Sequence, residues 1–202
     1  MGKLPVEILT RAEVGTLLRT CNRRSPSGLR DRALIALLYG SGLRLAEALA
    51  LRPRDVDLDE GTVRVHDGKG SKARTSAIED GMGAIVREWG EYHRRELGLS
   101  ASKPLFAQIT KGRVGQPVSQ ASVRQMLRRR AIKAGVEKRV HAHGFRHSHA
   151  ANMASAGLPL NVIQRQLGHS NVATTSRYID HVQPADVVAA VRGMGIERDE
   201  AA

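Results

Sequence analysis

The sequence predicts a mainly α-helical domain carrying one small antiparallel β-sheet. Three observations point there. Apolar residues recur at helical spacing along most of the chain, and the period switches to two only over residues 62–66, Thr-Val-Arg-Val-His. A tight-turn signal, Asp67-Gly68-Lys69-Gly70, follows at once, so residues 73–78 can pair back as a hairpin. With 202 residues, 41% hydrophobic and only 3% aromatic, the chain can build a sizeable core, and that core must be aliphatic.

The elements follow in order. Thr10-Arg11-Ala12-Glu13 has the form of a capping box and opens a helix through Val14, Leu17 and Leu18. Residues 29–39 read as a largely buried helix that Gly40-Ser41-Gly42 breaks, and residues 44–51 start another. Pro53 with Asp55, Asp57 and Asp59 reads as a turn. A helix is expected over 82–97, then a loop rich in Gly, Pro and Ser over 98–118. Ser119 opens a basic helix that runs to Ala134 and closes at Gly135. Further helical segments are expected from His143 to Ala156 and over 159–167, 173–179 and 185–191.

Charge and cysteine usage narrow the function classes. The formal net charge is +12, and 25 of the 32 basic residues are Arg. Arg favours planar, two-pronged phosphate contacts, so a polyanion, above all nucleic acid, is the expected partner. Cys21 is the only cysteine, which excludes an internal disulfide and suits a reducing compartment. No apolar run approaches about 18 residues, and the N-terminus lacks a signal-peptide core. A cytoplasmic protein without a membrane span is expected.

Four short blocks carry chemistry. In Ser41-Gly42-Leu43-Arg44-Leu45-Ala46-Glu47, Arg44 stands just after a glycine break at the opening of a helix, where an anion is favoured. Glu47, one turn on, can orient its guanidinium; a plain surface ion pair would read the same. In Gly68-Lys69-Gly70-Ser71-Lys72, a turn lysine can reach a phosphate or a leaving oxygen, but the Walker spacing is absent. Four of the eight histidines fall within His141-Ala142-His143-Gly144-Phe145-Arg146-His147-Ser148-His149. His143 and His147 can share a helix face, yet the H-E-x-x-H pattern and a nearby carboxylate ligand are missing, so no metal is expected. Lastly, Gln166-Leu167-Gly168-His169 is followed nine residues later by Tyr178. Taken singly, each block also fits an ordinary surface or core role.

Taken together, the blocks resemble the tyrosine recombinase (phage integrase) family from about residue 5 to 192. The G-L-R-x-x-E block, the G-K-G-x-K turn, the H-x-x-R-H block, the L-G-H block and the tyrosine beyond it come in the family's order. Phe145 departs from the Leu more usual there. Most members also carry a DNA-clamping domain in front; these 202 residues are expected to hold the catalytic domain and its tail only. The resemblance implies the family's catalytic-domain fold over residues 1–181. It implies catalytic roles for Arg44, Lys69, His143, Arg146, His169 and Tyr178: Tyr178 as nucleophile, His143 assisting its proton transfer, Lys69 protonating the departing 5′ oxygen, and His169 bonding the phosphate. Glu47 and His147 are expected to support these from behind. Double-stranded DNA is the implied partner, without metal or ATP. A monomer off DNA and a tetramer on it are also implied. The tail, residues 182–202, carries a short helix that either folds back on its own domain or docks on a neighbouring protomer.

The chemistry agrees with these residue types. Phosphodiester displacement builds negative charge at phosphorus, and two permanently protonated arginines can hold its non-bridging oxygens. A tyrosine hydroxyl titrates near about 10, so it needs a neighbour to take its proton. A covalent phosphotyrosine keeps the bond energy for rejoining. Lys72 and the basic helix, with Arg124 and Arg128 four apart, are candidate DNA contacts. The expected function is site-specific strand cutting and rejoining. Nicking and swivelling in the manner of a type IB topoisomerase is the alternative, as is a DNA-binding regulator that has lost catalysis.

Overall fold

The computed structural model describes residues 7–66 and 73–168, so Lys69, Lys72, His169, Tyr178 and the 182–202 tail lie outside the described residues. Within them the fold is the expected one, seven α-helices around a small antiparallel sheet. Helix α1 (Arg11–Arg19) begins with the capping box, both of whose hydrogen bonds form between Thr10 and Glu13. Helix α2 (Pro26–Ser41) starts earlier than its apolar run, because Ser25 caps it and Pro26 occupies its first turn. It also runs through Gly40 and Ser41 and ends only at Gly42, whose φ of 66° is left-handed.

Helix α2 is the centre of the domain. From Ala33 to Ser41 every residue is buried, as a helix covered on all sides requires. Each fully buried Leu or Ile there contributes about 1.5–3 kcal/mol of transfer free energy. Helices α4 (Asp80–Arg95) and α6 (Ala142–Ser155) pack on it, and α5 (Gln120–Ala134) packs on α1. Asp31, buried in α2, ties α5 to the core by accepting from Arg130, whose other nitrogen donates to Thr20 O. The core is mainly aliphatic, with Trp89, Phe106, Phe145 and Tyr39 its large aromatic members.

The sheet has three strands rather than two, in the order β1 (Val56–Asp57), β2 (Thr62–Val65), β3 (Arg74–Ala77). The β2–β3 hairpin has the expected antiparallel register, Thr62 opposite Ala77 and Val65 opposite Arg74. Strand β1 falls in the aspartate-rich stretch read as a turn, and two residues are too few to show a period. The 98–118 segment forms no helix, but it is not all surface. Leu105, Phe106 and Ala107 are buried, Leu105 O accepts from the Trp89 indole at 2.8 Å, and Ala107 bridges to Pro117.

Candidate active site

Three sequence-distant segments build the candidate site: the first two line one cleft, and the third braces them from behind. The first is the turn between α2 and α3 (Leu45–Ala50). Gly42 reverses the chain there, Leu43 is buried behind it, and Arg44 stands exposed at the cap of α3. The Arg44 N–H donates to Glu47 Oε2 at 2.8 Å, and its guanidinium Nη1 to Glu47 Oε1 at 2.9 Å. A second arginine, Arg74 of β3, meets the same carboxylate with both Nη atoms, at 3.0 and 2.9 Å. Burial alone would raise the Glu47 pKa. The Arg74 hydrogen bonds, the Arg44 N–H, the Arg74 charge and the Arg44 side chain override it and hold the pKa at about 2.

The second segment is α6. Its cap is His141, whose Nδ1 accepts from Gly144 N at 3.2 Å. His143, at its first turn, is exposed to the cleft and stacks edge-on to His147 with ring centroids 4.2 Å apart. Partial burial, then the neighbouring Arg146, His141 and Arg44, lower the His143 pKa and favour its neutral, proton-accepting form. Arg146 is 1% exposed. Its Nη1 donates to Gly42 O at 2.8 Å and its Nη2 to Leu167 O at 2.7 Å. These carbonyls stand at the C-terminal ends of α2 and α7 (Leu160–Leu167), where the helix dipole favours a cation. An enclosed guanidinium loses several kcal/mol of hydration, so such partners are required for it to stay there.

The third segment is the end of α7, which fixes those carbonyls. Gln166 is buried and joins two elements, α2 and β3: its Nε2 donates to Ser41 O and Ala77 O at 3.1 and 2.8 Å, and its Oε1 accepts from Ala77 N at 2.9 Å. His149 Nδ1 donates to Tyr39 O at 3.0 Å, and its Nε2 lies 3.3 Å from the Gln166 Nε2. At Gly42 a Cβ would sit 2.7 Å from the His149 ring and 2.9 Å from Leu167 Cδ2, so only glycine lets these three pack. Burial depresses the His149 pKa to about 4; its bond to Tyr39 O opposes this in part, and the charge of Arg146 adds a smaller depression.

A pH dependence follows. The folded-state pKa of His149 lies below its ordinary 6.5, so the unfolded chain binds the extra proton between pH 6.5 and 4. Its contribution to stability is complete above that window and is lost as pH falls through it, by up to about 1.4 kcal/mol per pH unit. Urea midpoints across the window should show the loss, and His149→Gln should flatten it. An unchanged slope in that variant assigns the loss to other groups.

Of the residues expected at the site, Arg44, His143 and Arg146 line this one cleft, and Arg124 of α5 lines it too. Arg128 lines an adjoining hollow with Arg124 and Arg139. Arg74, Gln166, His149 and Arg139 were not singled out by sequence. Gln166 and His149 at least fell inside quoted blocks; Arg74 carried no signal beyond a basic residue on a strand. Among the described residues no group of three or more His, Cys, Asp or Glu is placed to hold a metal ion.

The profile of the phage integrase family matches residues 7–184. The chain belongs to the phage integrase family. Within that family, the tyrosine recombinase XerC of Xanthomonas axonopodis pv. citri (strain 306) is 44% identical over 154 residues, 76% of this chain and 48% of the relative. The solved XerA recombinase superposes with a TM-score of 0.76 at 25% identity, covering 98% of this chain and 68% of that one. The XerH site-specific recombinase bound to its difH substrate superposes with a TM-score of 0.70 at 26% identity, over 94% and 54%. The chain thus spans about half the length of the curated XerC relatives it matches. The position where this phage integrase family chain has Phe145 is a packing matter: the ring is fully buried and meets Tyr39 edge-on at 6.5 Å.

Proposed function

We infer that this chain cuts and rejoins DNA at specific sites through a covalent 3′-phosphotyrosine. The observation that carries this reading is the convergence of Arg44, His143 and Arg146 on one basic cleft, with the chain continuing from α7 directly into His169. Arg44 and Arg146 hold the non-bridging oxygens of the scissile phosphate and stabilise the charge that grows there. The Tyr178 Oη bonds to phosphorus as the bond to the 5′ oxygen breaks. His143 takes the tyrosine proton, Lys69 gives one to the departing 5′ oxygen, and His169 hydrogen-bonds the phosphate. A 5′-hydroxyl from a second duplex reverses the step, and no ATP is needed because no bond energy is lost to water. Lys72, Arg124 and Arg128 lie along the DNA backbone, where contacts add affinity without reading sequence.

The reading includes double-stranded DNA as the partner, with a monomer off DNA and a tetramer on paired sites, completed by the 182–202 tail. It places the protein at the nucleoid in the cytoplasm. A plasmid carrying two copies of a candidate site taken from the DNA that flanks its gene tests the function. Inversion or excision between the copies is the expected product. Relaxation of supercoils without any exchange would instead assign a topoisomerase-like activity.

A further inference from the structure

Arg74 has no place in the motif blocks, yet it joins two of the three segments: it grips Glu47 of α3 and packs against Gly168 at the end of α7. It ends the hairpin opposite Val65, and residues 67–72, with Lys69, join the two. Both oxygens of Glu47 are shared between two arginines. Oε1 accepts from Arg74 Nη1 and Arg44 Nη1; Oε2 accepts from Arg74 Nη2 and the Arg44 N–H. The side chains of Glu47 and Arg74 are 15% and 16% exposed, whereas Arg44 is 48% exposed. Arg74 and Glu47 are therefore the anchored end of the chain of bonds, and Arg44 is its working end.

An exposed Arg44–Glu47 pair alone would be loosely oriented, because long side chains in water sacrifice entropy to hold one geometry. It would also be neutral. The second, bidentate cation removes both weaknesses: it immobilises the carboxylate, and it leaves the trio with a net positive charge. The other edge of Arg74 lies against α7. A Cβ on Gly168 would sit 2.6 Å from Arg74 Nε, so the close approach needs glycine at the residue before His169. Among the described residues the buried Arg74 Nε has no hydrogen-bond partner, so its two Nη atoms carry the grip on Glu47.

We propose that Arg74 is a positioning residue for strand cleavage: it locks Glu47, and through Glu47 aims the Arg44 guanidinium, while its packing on Gly168 ties that aim to the end of α7. This rests on the reading of the cleft as the DNA-cutting site. Arg74→Lys keeps the charge and loses the two-pronged grip, so it is the decisive variant. Cleavage of nicked duplexes drawn from the DNA that flanks the gene should slow by about tenfold to a hundredfold, the scale of a slightly misplaced group. DNA affinity should stay within about twofold, and the double variant Arg74→Lys, Glu47→Gln should be no slower than the worse single one, as expected of residues acting in series. Orthovanadate, a phosphate-like anion, supplies a readout without DNA: its stabilisation of the folded protein should need a higher concentration in Arg74→Lys.

Additive losses in the double variant, or affinity lost in step with rate, would make Arg74 a direct DNA contact and overturn the proposal. So would an unchanged rate, or failure of Arg74→Lys to fold as judged by urea unfolding. If the unmodified chain cuts none of the duplexes, the recombinase reading is what fails, and vanadate alone decides the role of Arg74.

Discussion

Arg146→Lys should slow DNA cleavage by about a hundredfold to a thousandfold, equal to about 2.7–4 kcal/mol in the barrier, the scale for removing one pre-placed charge stabiliser. The reason is geometric. The guanidinium spans two carbonyls, Gly42 O and Leu167 O, at 2.8 and 2.7 Å. A lysine ammonium is a point charge and cannot bridge both while presenting a flat, two-pronged edge to a phosphate. Arg44→Lys should lose a comparable factor, although Arg44 is exposed, because Glu47 and Arg74 hold its planar end in one orientation. Rates on a nicked duplex, with urea unfolding as a check on folding, decide the matter. Near-normal cleavage by both variants contradicts the phosphate clamp.

Tyr178→Phe should abolish covalent capture of DNA and leave binding intact. The ring and its packing are kept, and only the attacking oxygen goes. No other described group replaces it: Tyr39 is buried in α2, its hydroxyl already accepting from Asn152 at 2.8 Å. Tyr92 stacks on Trp89 in α4, on a helix that does not line the cleft. Gel-shift titration and SDS-resistant adducts, measured side by side, separate the two effects. An adduct persisting in the Phe variant would mean that the nucleophile is another residue.

Much of this was legible in the sequence, for identifiable reasons. The capping box, the buried run of α2 and the β2–β3 hairpin are local patterns, and local energetics settle them. The candidate blocks stood out because each sets a charged or imidazole side chain close to a glycine. What escaped needed three dimensions. Arg74 finds its carboxylate 27 residues away, across the sheet edge, and nothing in a strand reports such a partner. Gln166 looked like filler before the glycine, yet its amide hydrogen-bonds like one more residue beside Ala77. The burial of residues 105–107 was hidden because loop composition says nothing about a segment pinned by Trp89 and Leu51. Helix α2 began early because Ser25 and Pro26 define its start, whereas the apolar run marks only the part that is buried.

The central claim is that DNA becomes joined to Tyr178 without help from metal or ATP. The direct measurement is to incubate the protein with nicked duplexes in EDTA, without nucleotide, then digest the SDS-resistant product and map it by mass spectrometry. The predicted result is a peptide carrying a nucleotide 3′-phosphate on Tyr178, alongside a free 5′-hydroxyl end. Cleavage that appears only when a divalent cation is restored, or an adduct on any other residue, would contradict it.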